Sequence, residues 1–140
     1  MTKIYTLSNG TTIKVHLQKK GETNNFFGNN GWHDVYRLIM DFGNGKKFTT
    51  TFHNSVHDYG KNITESTIDN AIDCVISDFM AYDNYPYASD FLNEFGYDCY
   101  KDKNAGMRAY NGCCSIYERL SELMAENDIV ELYKIVRNED

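Results

Sequence analysis

Residues 66–80 read STIDNAIDCVISDFM. Their apolar members, Ile68, Ala71, Ile72, Val75, Ile76, Phe79 and Met80, recur in steps of three and four, which lays one stripe along an amphipathic helix. Thr64 or Ser66 can cap its N-terminus, because a hydroxyl there accepts from an otherwise orphaned backbone N–H. Upstream the period is two. Across Thr11–Leu17, Ile13, Val15 and Leu17 alternate with Thr12, Lys14 and His16, and Ser8-Asn9-Gly10 supplies a turn from a preceding strand at Lys3–Leu7. Tyr36, Leu38, Met40 and Phe42 share one face of His33–Phe42. Gly43-Asn44-Gly45 then turns the chain into Lys46–His53, with Phe48, Thr50 and Phe52 inward. Between these hairpins the polar stretch Gln18–Gly31 reads as a long exposed loop carrying Phe26 and Phe27 at its tip.

Downstream of residue 80 the helical period continues. A short helix is expected at Ser89–Phe95, ended by Gly96. A longer one is expected over Asn104–Ala125, with Met107, Tyr110, Cys113 or Cys114, Tyr117, Leu120 and Met124 inward. Asp128 and Glu131 form a D-x-x-E version of the capping box, opening a last helix that turns Ile129, Leu132, Tyr133 and Val136 to the core. Strands followed by helices predict an α+β fold: an N-terminal four-stranded antiparallel meander packed against three to four C-terminal helices. Length agrees with one domain over residues 1–140, divided into a sheet lobe (1–63) and a helical lobe (64–140).

The chain has 140 residues, 41% hydrophobic and 24% charged, which excludes a disordered tail, a collagen or a coiled-coil rod. Its apolar runs, such as Leu38-Ile39-Met40, fall far short of the roughly 20 residues of a membrane span, so no membrane partner is expected. The N-terminus turns polar before an apolar signal core can form, which points to the cytoplasm. The same reasoning takes Cys74, Cys99, Cys113 and Cys114 as reduced thiols filling apolar space.

Charge is divided unevenly between the lobes. Residues 1–63 hold eight basic and four acidic side chains, a formal +4; residues 64–140 hold six and 16, a formal −10. Between Glu65 and Asp98 there are eight carboxylates and no Lys or Arg. Such an unneutralised run repels itself unless solvent or a partner screens it. Glu65, Asp69 and Asp73 fall at i, i+4 and i+8, on the helix face expected to lie opposite the apolar stripe, and Asp78 and Asp83 follow. Tyr82, Tyr85 and Tyr87 come next. Carboxylates beside exposed tyrosines suit a protein cleft that normally grips nucleic acid with cations and stacking platforms. Direct nucleic-acid binding by the basic half, through Lys19-Lys20, Lys46-Lys47 and Phe26, Phe27 and Trp32, is the competing idea. Against it, +4 is a weak funnel and the −10 lobe repels phosphate over a screening length of about 10 Å.

Other chemistry is thinly represented. His53 and His57 stand at H-x-x-x-H beside Asp58, and with Cys113, Cys114 or Cys99 they could hold a structural zinc, but the segment follows a strand, Asn54 occupies the place of a catalytic Glu, and no C-x-x-C supports it. No glycine-rich phosphate loop or nucleophile elbow is present, so no cofactor and no catalytic residue is expected.

Phe91-Leu92-Asn93-Glu94-Phe95-Gly96-Tyr97-Asp98, followed by Ala109-Tyr110-Asn111-Gly112-Cys113, resembles a recurring class of small phage and mobile-element proteins with an F-x-x-E-F-G-Y-D segment and a Y-x-x-C helix. The resemblance implies a mobile-element origin, a bacterial cytoplasm and a counter-defence role such as that of anti-CRISPR proteins; it carries over no catalytic residue. Taken with the charge layout, it leads to the expectation of a non-enzymatic inhibitor of a host nuclease such as Cas9 or its guide RNA complex. The expected contacts are Glu65, Asp69, Asp73, Asp78 and Asp83 with Tyr82, Tyr85 and Tyr87, in a monomer or homodimer. The alternatives are a metal-stabilised or dimeric phage accessory protein, with Phe26, Phe27 and Trp32 as its interface, and a metal-dependent hydrolase.

Overall fold

A computed structural model describes residues 1–26, 29–54, 63–97 and 103–138, and within them the side chains of 20–26, 29–34, 52–54 and 103 lie outside the description. Four strands come first: β1 (Thr2–Thr6), β2 (Thr12–Phe26), β3 (Asn29–Gly43) and β4 (Lys46–Asn54), in the order β1-β2-β3-β4 and antiparallel throughout. Four helices follow: α1 (Glu65–Asn84), α2 (Ala88–Glu94), α3 (Lys103–Ser121) and α4 (Glu126–Val136). The fold is α+β, with the meander and the helices where the change of period places them.

The registers explain why one sheet face is apolar. Tyr5 pairs with Ile13, Val15 with Met40, Leu17 with Leu38, and Met40 with Phe48. Facing residues share a side of the pleat, so these rows point together toward the helices and all are buried. One apolar cluster joins them to Ile68, Ile72 and Ile76 of α1, Leu120 of α3, and Ile129 and Leu132 of α4. Each of these fully buried aliphatic side chains contributes about 1.5–3 kcal/mol of transfer free energy. α1 begins at an N-cap Thr64 in extended conformation: its hydroxyl accepts from Thr67 N–H at 3.3 Å, and the Thr67 hydroxyl accepts from Thr64 N–H at 3.1 Å. That reciprocal pair satisfies two backbone donors that the helix itself leaves unpaired.

Two expectations are corrected. The stretch Gln18–Gly31 is not an exposed loop: β2 runs on to Phe26 and β3 begins at Asn29, with Thr23 facing His33 and Asn25 facing Asn30. Ladder hydrogen bonds are made by the backbone and need no apolar alternation once Leu17 and Leu38 have set the register. Shifts between Lys19 and Gly21 and between Thr23 and Asn25 bulge this arm, which hides its period from the sequence. Phe27 lies outside the described residues, as do the side chains of Phe26 and Trp32. The second correction concerns α4, which starts at Glu126 with Ala125 as its N-cap and no side-chain cap. Asp128 and Glu131 bind the β1–β2 turn instead. Glu131 accepts from Ser8 N–H and Ser8 Oγ, both at 2.7 Å, and Asp128 accepts from Asn9 Nδ2 at 3.2 Å. A carboxylate that can hold two donors of a tight turn gains more there than by capping its own helix from inside it.

Candidate functional site

α1 carries the acidic residues, and its pitch decides where each one points. Steps of four residues precess by about 40°, and the five-residue step from Asp73 to Asp78 turns by about 140°. Glu65 is exposed in the first turn. Asp69 is not on the outer face. It lies half-buried against β1, where Lys3 Nζ donates to its two oxygens at 2.8 and 3.0 Å and Tyr5 donates its hydroxyl proton to the same carboxylate. Burial and this acceptor push the Tyr5 phenol well above its ordinary range. Asp73 accepts from Ser77 Oγ at 3.1 Å; Ser77 is in turn 3.1 Å from the Tyr133 hydroxyl, which accepts from Arg137 at 2.6 Å. Asp69 therefore ties α1 to β1, while Asp73 is held by Ser77 of its own helix, which in turn links α1 to α4 through Tyr133, so the middle of the expected ridge is engaged inside the molecule.

Asp78 is on the other flank of α1, in a crevice of about 330 Å³ between α1, α3 and β4 lined also by Thr50, Cys113, Ser115 and Arg119. The residue is exposed as a whole, but its carboxyl group meets the buried Cys113 thiol. Burial pushes the Asp78 carboxyl up to about 6, with the thiol hydrogen bond pulling the other way. Burial and the neighbouring Asp78 push Cys113 up to about 12. At neutral pH that sulfur is a thiol, a poor nucleophile and a poor metal ligand. Arg119 closes the crevice: its Nη1 donates to Thr49 O at 2.7 Å, its Nε to Ser115 Oγ at 3.2 Å, and its guanidinium stacks 4.7 Å over Phe48.

The tyrosines separate as well. Tyr82 packs between Tyr117 (5.0 Å) and Tyr110 (5.6 Å) of α3, within a run of rings that begins at Phe79 and continues through Phe91. Tyr85 meets the edge of Phe95 at 5.9 Å, and the charge of Glu94 raises its phenol. Tyr87 is the N-cap of α2 and is 72% exposed. With Phe95 at 40% exposure and Asp83, Asp90 and Glu94 all exposed, Glu94 also accepting from Tyr85, the corner from α1 to the end of α2 gathers both large aromatic surface and exposed carboxylates. Asp90, Glu94 and Phe95 are the additions that spacing along α1 alone could not supply.

The F-x-x-E-F-G-Y-D segment has a packing role. Gly96, at φ +78°, ends α2 with Gly96 N–H donating to Asn93 O (3.2 Å) and Tyr97 N–H to Leu92 O (2.7 Å). The closed end seats on Gly106 of α3, where an added Cβ would stand 2.5 Å from Leu92 Cδ2 and 2.6 Å from Tyr97 Cβ. Among the described residues no group of three His, Cys, Asp or Glu could hold a metal ion, and no helix is long and apolar enough to cross a membrane. The His53 side chain and His57 lie outside the description, as does Cys99. Cys74, Cys113 and Cys114 are free thiols. No protein-family model matches the chain, and no curated protein or solved structure matches it either.

Proposed function

We propose that the protein is a non-enzymatic inhibitor that binds a cationic, nucleic-acid-gripping cleft of a host defence nuclease, of the CRISPR effector type exemplified by Cas9 and its guide RNA complex. The observation that carries this reading is the α1–α2 corner: Asp83, Asp90 and Glu94 are exposed beside Tyr87 and Phe95, in a stretch with no basic residue from Glu65 to Asp98. Tyr87 and Phe95 supply contact area at little entropy cost, and the carboxylates supply complementarity and a fast approach. Because Asp69 and Asp73 already have internal partners, the contact centre belongs at Asp83, Asp90, Glu94, Tyr85, Tyr87 and Phe95; Asp78, its carboxyl turned to Cys113, and Glu65, about 27 Å back along α1, lie outside it.

Association with a Cas9-type effector, followed as salt rises from about 50 to about 300 mM, should weaken steeply, because exposed charges are screened within about 10 Å. Asp83→Lys with Glu94→Lys should lower affinity by at least about tenfold, since like charges then face the cleft. Inhibition that survives this double change, or binding indifferent to salt, removes the corner as the site.

A further inference from the structure

The helices cover one face of the sheet, and the other face has a distinct chemistry. Alternation puts Lys14, His16, Ile39, Asp41 and Lys47 opposite the buried Ile13, Val15, Leu17, Leu38, Met40 and Phe48. The registers line them up across strands: Ile4 faces Lys14, Lys14 faces Asp41, and Asp41 faces Lys47. The next rows run Thr2, His16, Ile39, Thr49 and then Gln18, Arg37, Thr51. Lys14 and Lys47 are exposed, two strands and hence about 10 Å apart, and Arg37 stands four residues along β3 from Asp41, about 13 Å away. Among the described residues none of these three cations forms an ion pair. A shallow groove of about 320 Å³ lies along the centre of the face, lined by Thr2, Lys14, His16, Ile39, Asp41 and Lys47.

We propose that this uncovered face binds single-stranded RNA through its phosphodiester backbone. Three cations against one carboxylate give the charge complementarity, and Thr12, Thr49 and Thr51 add hydroxyl donors for phosphate oxygens, the Thr2 hydroxyl being bonded to His16 Nδ1 at 3.1 Å. An open sheet face can follow an extended single strand along its length, its cations tracking the backbone. Asp41 selects RNA. One of its oxygens accepts from Gly43 N–H at 2.9 Å, which leaves the other to accept from a ribose 2′-hydroxyl that DNA lacks. The acidic lobe does not cancel this attraction. A helix layer about 10 Å thick separates the outward carboxylates from the open face, beyond a physiological screening length of about 8 Å. The inference is independent of the α1–α2 corner, because it uses the opposite side of the molecule and needs no protein partner.

The test is fluorescence anisotropy of the full chain with a labelled oligouridine of about 20 nucleotides, followed upward from about 150 mM salt, where the screening length is about 8 Å. Three phosphate contacts on a single strand give a log–log salt slope of about −2. Lys14→Gln with Lys47→Gln should lower affinity at least about tenfold and bring that slope to about −0.7. Circular dichroism checks that the pair still folds; if it does not, Lys47→Gln and Arg37→Gln are read singly, each expected to shed about 0.7 of the slope. Lys134→Gln on α4 should change nothing. Oligodeoxythymidine should bind several-fold more weakly, and Asp41→Ala, which removes every polar atom that could meet the 2′-hydroxyl, should erase that difference. The proposal is overturned by absence of binding, by an unchanged affinity in the lysine variants, by equal or tighter binding of the DNA strand, or by binding to vesicles of phosphatidylcholine and phosphatidylserine in preference to RNA.

Discussion

At the scale of single residues, the molecule shows how the same side chain type takes different jobs according to its flank on α1. Asp69 lies in phase with Lys3 and Tyr5, which stand two apart on the inward face of β1, and the three groups form one bonded unit. The clue in the sequence is Lys3 itself, a lysine on the apolar side of an alternating strand, where only a partnered charge is stable. Among the described residues Asp78 has no such cation. Its carboxyl is held neutral-prone at about 6 by burial beside Cys113, above the ordinary carboxylate value of about 3.9. The folded state then binds more protons than the unfolded chain between those two values, so this group's stabilisation is present below about pH 4 and lost as pH rises through about 6. Asp78→Asn should therefore leave the urea midpoint unchanged near pH 4 and raise it near pH 7. The gain is on the order of 1 kcal/mol at most, because solvent screens a residue so exposed. A variant less stable than the parent at pH 7 would mean that the carboxylate is a favourable acceptor rather than a strained one.

At the scale of elements, the helices were legible wherever an apolar stripe ran unbroken. α1 follows from residues 66–80, with the structure choosing Thr64 over Ser66 as its cap, and α2 follows from a seven-residue helix closed by the Gly96 beyond it. The β2–β3 arm was not legible, since its polar residues pair through the backbone and its register shifts break the alternation. Nor was the start of α4: Asp128 and Glu131 match a cap in sequence, yet Ser8 and Asn9, more than a hundred residues away, claim both carboxylates. Gly106 and Gly112 give the sharpest comparison on α3. Both would gain about 1 kcal/mol of helix propensity as alanine. At Gly112 nothing lies within 4 Å of the added carbon, so Gly112→Ala should raise stability by about that amount. At Gly106 the carbon would meet Leu92 and the Tyr97 backbone-proximal Cβ, and overpacking of about 1–3 kcal/mol outweighs the gain, so Gly106→Ala should lower it. Thermal unfolding of the two variants side by side reads the difference in sign.

At the scale of the whole molecule, charge segregation along the chain becomes segregation in space. The helices put an acidic layer on one side of the sheet and leave a basic face on the other, and among the described residues Lys3–Asp69 is the ion pair that bridges the two lobes. Self-repulsion within the −10 half should make the fold gain stability as sodium chloride rises from about 20 to about 500 mM, read as a rising urea midpoint. A falling midpoint would mean that attraction between the lobes dominates. Periodicity determined the class of fold, the order of its elements and the inward residues of both lobes, because a strand or helix must bury its apolar side whatever its neighbours are. Counting residues also established that 65–98 carries no cation. Only the tertiary structure decided which carboxylates are engaged: Asp69, Asp128 and Glu131 met donors from distant segments, Asp73 met Ser77 of its own helix and Glu94 met Tyr85, whereas the structure shows no side-chain partner for Asp83 and Asp90 among the described residues. Burial follows from local pattern, whereas a side chain's partner depends on where the rest of the chain returns.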